Sequence, residues 1–269
     1  MTRPYAEVIG DPIAHSKSPL IHRFWLDALG IDADYRATHV LPADLAAFVA
    51  QRRADPDWRG CNVTLPHKVA VMNLVDDPGD VRGTIGAMNT LVRQGGGLIG
   101  TNTDAAGFWA PLAELDLAGQ PVAVVGAGGA AHAVLFALAR VGVERVTLLN
   151  RNPLKAAALL ARFSLKGDAV PLDSPLPPVG LLINASALGM HGQPDYAPDL
   201  SALPEDAVVY DIVYAPLETP LLAAARARGL ETVDGLEMLI GQAALAFELF
   251  FGAQPPRERD AELRELLTA

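Results

Sequence analysis

The sequence is poor in cysteine, in lysine and in aromatic residues, and each scarcity removes a class of explanation. One cysteine, Cys61, in 269 residues excludes an intrachain disulfide framework and a cysteine-rich metal site, and it fits a reducing compartment. A small buried hydrophobe is its plainest role. Positive charge is also in deficit: 21 Lys and Arg stand against 31 Asp and Glu, a formal net charge of −10. Polyanions repel such a chain, so neither nucleic acid nor an anionic membrane surface is an expected partner. No apolar run reaches the roughly 18 residues that a bilayer requires. Met1-Thr2-Arg3-Pro4-Tyr5 lacks the apolar core of a secretion signal, so the expected location is cytoplasmic. His15, His67 and His132 lack metal-ligand spacing with acidic partners, and no metal site is expected.

What remains is 51% hydrophobic, 19% charged and 6% aromatic, the composition of an ordinary enzyme able to bury one large core or two modest ones. Short apolar runs alternate with helical patterns, which predicts an α/β protein. In the first hundred residues strands are expected at Tyr5–Ile9, Ala33–Thr38 and Cys61–Thr64. One helix is expected to start at Ser18-Pro19, with Ser18 as its N-cap, and to end before Gly30; a second covers Ala43 to Arg53, and a third opens at Leu65-Pro66-His67-Lys68. Thr90–Arg93 and Leu98–Thr101 read as a hairpin across Gln94 and three glycines, and Asn102-Thr103-Asp104 heads a helix through Leu115.

Near Leu117 the texture changes. Pro121–Val125 is almost continuously apolar, as befits a parallel strand buried on both faces. Helices at Gly129–Val141, Pro153–Phe163 and Thr219–Arg228 alternate with strands at Arg145–Leu149, Leu181–Asn184, Val208–Asp211 and Thr232-Val233. The expectation is a two-lobed chain. Its first lobe, with a mainly parallel sheet, takes residues 1–103 and, through two C-terminal helices that bring no strands, 236–269. A Rossmann-type doubly wound lobe takes 104–235.

Gly126-Ala127-Gly128-Gly129-Ala130-Ala131 fits G-x-G-x-x-A between a buried strand and a helix. Gly126 permits the tight turn, Gly128 lets backbone N–H groups approach a pyrophosphate, and Ala131 allows close helix–strand packing. At the end of the next strand, where an acidic residue would grip the ribose of NAD, the chain has Asn150-Arg151. Without a carboxylate to repel it, a 2′-phosphate can be clasped by Arg151 and reached by Lys155, so NADP is the expected cofactor.

Redox chemistry at a carbinol needs a group that exchanges the hydroxyl proton as the hydride leaves. The chain holds four lysines against seventeen arginines, and only a lysine can give up its proton in a partly desolvated site. Lys68 is the candidate, with Asp104 able to share its hydrogen-bond partner and couple to its titration.

Several segments together resemble the shikimate dehydrogenase family: Gly10-Asp11-Pro12-Ile13-Ala14-His15-Ser16-Lys17-Ser18-Pro19, Asn62-Val63-Thr64-Leu65-Pro66-His67-Lys68 and Gly86-Ala87-Met88-Asn89-Thr90-Leu91. Gly100-Thr101-Asn102-Thr103-Asp104, Asn150-Arg151, Asp211-Ile212-Val213-Tyr214 and Gly241-Gln242-Ala243 continue the match along the whole chain. The resemblance implies a substrate lobe and an NADP lobe hinged around a cleft, and hydride transfer at C3 of shikimate or 3-dehydroshikimate in aromatic amino acid biosynthesis. It implies a dyad of Lys68 and Asp104, receipt of the substrate carboxylate by Ser16, Ser18 and Tyr214, and contacts of Thr64, Asn89, Asp104 and Gln242 with the ring hydroxyls. A monomer or homodimer is expected. The chain departs from the family pattern at Ala105, His132, Lys155 and Ala215; the second and third bear on discrimination between NADP and NAD. Taken singly, Ser16 and Ser18 are equally turn and cap residues, and Tyr214 is equally a packing residue. A quinate/shikimate dehydrogenase using NAD and a non-catalytic NADP-binding regulator are the alternatives. A methylene-folate dehydrogenase also uses a lysine, but gives no reason for the Ser16/Ser18 pair.

Overall fold

The first βαβ pattern becomes β1 (Tyr5–Gly10), α1 (Ser18–Leu29), β2 (Asp34–His39), α2 (Leu45–Ala54) and β3 (Trp58–Val63) in the computed structural model. The structure describes residues 3–269; Met1 and Thr2, part of the expected first lobe, lie outside the described residues. A short α3 (Val81–Thr84) and the hairpin β4 (Thr90–Gln94) and β5 (Gly97–Thr101) follow. The sheet order is β2-β1-β3-β4-β5. β4 is antiparallel to both neighbours, so it alone runs against the other four strands. The hairpin turn is only Gly95-Gly96, at φ 59° and 81°, because Gln94 and Gly97 pair as the last rung.

Three expectations in this region need correction. The N-cap of α1 is Lys17, not Ser18, and no side chain caps it; the Ser18 amide instead donates to Ser16 Oγ at 3.3 Å. Leu65–Lys68 forms turns leading to a 3-10 segment, Ala70–Leu74, rather than an α-helix. The Lys68 carbonyl accepts from Met88 N at 2.8 Å, and Met72 N turns to Val69 O, so the α-helical pairing is pre-empted. The helix α4 (Asp104–Trp109) gives way to a 3-10 turn at Ala110–Leu112, where Pro111 removes a donor.

From residue 104 the chain builds β6 (Pro121–Val125), α5 (Gly129–Val141), β7 (Arg145–Leu149), α6 (Pro153–Arg162), β8 (Gly167–Val170), β9 (Leu181–Asn184), β10 (Val208–Asp211), α7 (Pro220–Ala227) and β11 (Glu231–Val233). All six strands are parallel in the order β11-β10-β9-β6-β7-β8. The order reverses between β6 and β9, the switch point at which a doubly wound sheet binds its ligand. β8 escapes a reading for apolar runs because this edge strand, Gly-Asp-Ala-Val, pairs with β7 alone. One core on β6 gathers Val122, Val124, Leu135, Leu148 and Ile183; another gathers Ala123, Val125, Leu182, Val209 and Leu221. The alternation along β6 shows that both of its faces are covered.

The chain ends in α8 (Gly235–Phe251) and, after a 3-10 turn, α9 (Asp260–Thr268). Two compact units result: one runs to Thr103 and resumes over Ile240–Ala269, the other is Asp104–Leu239. The return falls inside α8 rather than before Leu236. Met238 packs into the core around β6, whereas Phe247 and Phe250 join an aromatic cluster with His22, Trp25 and Tyr35. His22 stacks on Tyr35 at 3.9 Å with the rings 2° from parallel.

Candidate active site

In the first unit, polar groups on and beside β3, β4 and β5 form a network that reaches Gln242, near the middle of α8. Asn89 stands just before β4 and is 2% exposed. Its Oδ1 accepts from the Thr103 amide at 2.7 Å and from Thr90 Oγ1 at 3.1 Å. Its Nδ2 donates to Thr103 Oγ1 at 2.9 Å and to Gln242 Oε1 at 3.3 Å. Asn62, on β3, continues the network: its Nδ2 donates to Thr90 Oγ1 at 3.2 Å, and its Oδ1 accepts from Tyr35 Oη at 2.6 Å. All six residues are buried. Buried polar groups are kept only when their hydrogen bonds are met, so this chain of carboxamides and hydroxyls is a structured feature and not a solvated surface. The structure thus brings Asn89 and Gln242 together and adds Tyr35, Asn62, Thr90 and Thr103. Asn62 stood in the sequence only as the first letter of the Asn62–Lys68 segment; its signal was an amide in β3, whose other polar side chain, that of Arg59, is exposed.

The Ser16-Lys17-Ser18 corner lies between β1 and α1. The Ser16 amide is held by Ile13 O at 3.0 Å, Ser18 is buried and Ser16 half-buried, and the Lys17 ammonium donates to the Leu267 carbonyl in α9. Thr64 follows β3 and stays in its register, its amide donating to Ile9 O at 2.9 Å. Lys68, half-buried, sits in the turn that follows. His67 of that turn is anchored through Nε2 to Val40 O at 2.7 Å. Lys68 belongs to the first unit and Asp104, 4% exposed, opens the second.

In the second unit the glycine turn joins β6 to α5. Gly126 adopts φ 102°, and a Cβ there would lie 2.8 Å from that of Ser186, so both conformation and packing demand glycine. Gly128 differs. Its φ of −89° suits any residue, and a Cβ would meet nothing within 4 Å. The protein's own packing does not call for a glycine here, whereas close approach of a ligand to the backbone would. Gly129 and Ala130 open the first turn of the thirteen-residue α5, whose amides have no side-chain cap and are open to an anion; Ala127 and Ala131 are buried. The arrangement fits a dinucleotide pyrophosphate.

Asn150 follows β7 directly and donates from Nδ2 to Asn152 O at 2.9 Å. Asn152 caps α6 through the Lys155 amide at 3.2 Å. Arg151 and Lys155 are exposed, and neither joins an ion pair among the described residues. Arg151 borders an open groove of about 870 Å³, whose other walls include Leu172, Asp173, Asp195, Tyr196 and Asp199. Among the described residues Arg151 is the one cation lining that groove, beside the carboxylates of Asp173, Asp195 and Asp199.

Asp211, at the end of β10, is buried and accepts from Asn184 Nδ2 at 2.9 Å, Thr219 Oγ1 at 2.7 Å and Val213 N at 3.0 Å. Burial pushes its carboxyl up to about 6, against the pull of those three donors. Asn184 in turn accepts from Ser186 N and Oγ, fixing the segment that presses on Gly126. Tyr214, half-buried, lies three residues beyond Asp211. This anchoring was not expected from the sequence, where Asp211 served only as a motif letter. Among the described residues no group of three or more His, Cys, Asp or Glu is placed to hold a metal ion, and no helix is long and apolar enough to cross a membrane.

Three family models match the chain: the shikimate dehydrogenase substrate binding domain over residues 8–91, shikimate / quinate 5-dehydrogenase over 111–176, and the shikimate 5′-dehydrogenase C-terminal domain over 235–262. The chain is 74% identical to shikimate dehydrogenase (NADP(+)) of Sphingopyxis alaskensis over 267 residues, covering 99% of this chain and 97% of that one. Shikimate 5-dehydrogenase of Thermus thermophilus, solved in complex with NADP(H) and shikimate, superposes with a TM-score of 0.85 at 37% identity, covering 98% of this chain and 99% of that one. The ligand-free 5-ketofructose reductase of a Gluconobacter species superposes with a TM-score of 0.87 at 33% identity, covering 99% of each. With its whole length matched at that identity and its glycine turn, buried carboxamide cluster and doubly wound sheet in place, the chain belongs to the shikimate dehydrogenase family.

Proposed function

We propose that this protein is an NADP-dependent shikimate dehydrogenase that interconverts 3-dehydroshikimate and shikimate within aromatic amino acid biosynthesis. The observation that carries the reading is the 74% identity, over nearly the whole of both chains, to a relative with that name. A fold shared with a 5-ketofructose reductase does not choose the substrate; side chains do.

In this reading the first unit holds the substrate and the second the cofactor. Gly126 to Ala131 receive the pyrophosphate, and Asn150, Arg151 and Lys155 the 2′-phosphate of the adenosine. When bound, the reduced cofactor supplies the hydride that reaches C3. Lys68, as its ammonium, gives the C3 oxygen a proton while that oxygen becomes a hydroxyl, and in the reverse direction its amine takes the proton back. Asp104 accepts a hydrogen bond from the C3 hydroxyl and holds the lysine at that oxygen. Ser16, Ser18 and Tyr214 offer hydroxyl donors to the substrate carboxylate. Thr64, Asn89 and Gln242 meet the ring hydroxyls, so an analogue lacking them leaves buried polar groups unpaired and is rejected. A cytoplasmic location, supported by the single buried cysteine, and a monomeric or homodimeric state complete the reading.

The test is nicotinamide reduction with shikimate or quinate and NADP⁺ or NAD⁺. Turnover is expected with shikimate and NADP⁺, falling by about a thousandfold in Lys68→Ala, while Arg151→Ala raises KM for NADP⁺ about tenfold and leaves that for NAD⁺ unchanged. A preference for quinate or NAD⁺ would move the protein to the neighbouring activity, and tight NADP⁺ binding without turnover would make it a regulator.

A further inference from the structure

The carboxamide cluster is approached by one group that can only donate, and the rest of the cluster can be read from it. A backbone N–H can only donate. The Thr103 amide points at Asn89 Oδ1 from 2.7 Å, so that atom is the oxygen and the other, facing Gln242, is the NH2. The atom of Gln242 that meets it at 3.3 Å is therefore the acceptor Oε1. Thr103 Oγ1 already accepts from Asn89 Nδ2 at 2.9 Å, and its own proton faces the same Gln242 oxygen at 3.5 Å and Thr90 Oγ1 at 3.4 Å. The carbonyl side of Gln242 is committed to the cluster, and its NH2 is the side turned away from these two partners.

The far end of the network enforces the same sense. Tyr35 Oη, in a fully buried ring, donates to Asn62 Oδ1 at 2.6 Å. Asn62 consequently turns its NH2 to Thr90 Oγ1, 3.2 Å away. Having accepted there, the Thr90 hydroxyl sends its own proton to Asn89 Oδ1 at 3.1 Å. Along the path from Tyr35 through Asn62, Thr90 and Asn89 to Gln242 the bonds run in one direction; turning the Asn62 carboxamide round would set its oxygen against the Asn89 carbonyl, which its NH2 meets at 3.5 Å, and turning that of Asn89 would set its NH2 against the Thr103 amide.

We infer that Tyr35, Asn62 and Thr90 are positioning residues that fix the hydrogen-bond polarity of the substrate site, so that Gln242 presents its carboxamide NH2 to an oxygen of the substrate. This rests on the proposed function, which puts Gln242 against a ring hydroxyl. The hydroxyl it meets must accept from Gln242 and spend its own proton elsewhere. A substrate group able only to donate is excluded there.

Thr90→Val removes the central hydroxyl at nearly constant volume, and Thr90→Ser retains it. The expected result is a rise of about fivefold to tenfold in KM for shikimate in Thr90→Val, an unchanged KM for NADP⁺, and near-complete recovery in Thr90→Ser. Tyr35→Phe deletes only the first donor of the chain. It should raise the same KM about threefold, and it serves if Thr90→Val does not fold. In protein labelled with 15N-glutamine, the Gln242 NH2 signals, identified by their loss in Gln242→Glu, should move when shikimate is added to the unaltered protein. Normal turnover with an unchanged KM for shikimate in Thr90→Val and Tyr35→Phe, or Gln242 NH2 signals that stay fixed at saturating shikimate, would overturn the inference alone. Absence of shikimate turnover by the unaltered protein would instead overturn the substrate reading on which it rests.

Discussion

His22 and Asp211 are buried titratable groups with no counter-charge in the bonds described, and they respond to acid in opposite ways. Burial drives His22 from 6.5 down to about 3, and neither ring nitrogen has a hydrogen-bond partner. Between those values the unfolded chain binds a proton that the folded chain refuses. Its contribution is thus present above pH 6.5 and falls with pH at about 1.4 kcal/mol per unit. For Asp211 the folded value, about 6, lies above the ordinary 3.8. The folded chain holds the extra proton, so that contribution is full below pH 3.8 and is lost as the pH rises through 6. His22→Phe should keep the ring stacked on Tyr35, remove the two unpartnered nitrogens, and raise stability at pH 5 more than at pH 7. Asp211→Asn should flatten the dependence between pH 4 and 6 in the other direction. Urea unfolding at several pH values measures both, and parallel pH curves for variant and unaltered protein would contradict the assignment.

At the scale of the element, the β6 turn and the start of α5 contain two glycines with different reasons to exist. Gly126 is required by φ and by Ser186, while Gly128 is required by nothing in the chain. Gly126→Ala should therefore cost at least about 1–3 kcal/mol of stability. Gly128→Ala should leave the melting temperature within a degree or two and still weaken NADP⁺ binding about tenfold, measured by titration of the cofactor. A Gly128→Ala protein that binds NADP⁺ normally would remove the pyrophosphate from this turn. The glycine spacing was legible in the sequence because a strand, a turn and a helix each left a periodic or compositional mark. Strand bounds such as Pro121–Val125 and Arg145–Leu149 were legible for the same reason. The turn at Leu65–Val69 was not, since the bond from Met88 N to the Lys68 carbonyl is a tertiary contact that propensity cannot see. Nor was the cluster around Asn89: Asn62, Thr90 and Thr103 stood in the resembling segments without a role of their own until strands and a distant helix converged on them.

At the scale of the whole molecule, the alternation of apolar runs revealed two α/β units, and the strandless C-terminal helices suggested that the first was discontinuous. The place of return was less legible because α8 is one uninterrupted pattern. Met238 serves one core, while Phe247 and Phe250 serve the other aromatic cluster. A helix that changes allegiance without changing its periodicity leaves no boundary in the sequence.

That division inside α8 bears on the order in which the chain acquires structure as it leaves the ribosome. Residues up to 103 emerge first but lack Phe247, Phe250, Gln242 and the α9 carbonyl that receives Lys17. Residues 104–239 have every strand of their sheet once β11 has emerged. Residues 104–239 should therefore yield the first protease-resistant unit, and the segment up to Thr103 should wait for residues 240–269. Pulse proteolysis of chains stalled with about 240 residues exposed should show a protected fragment from the middle and a digestible N-terminal third. Protection of that third before α8 is complete would show that its core closes without the helix. Translation thus leaves the proposed carboxamide site unfinished until the end, so the nucleotide unit matures before the substrate unit does.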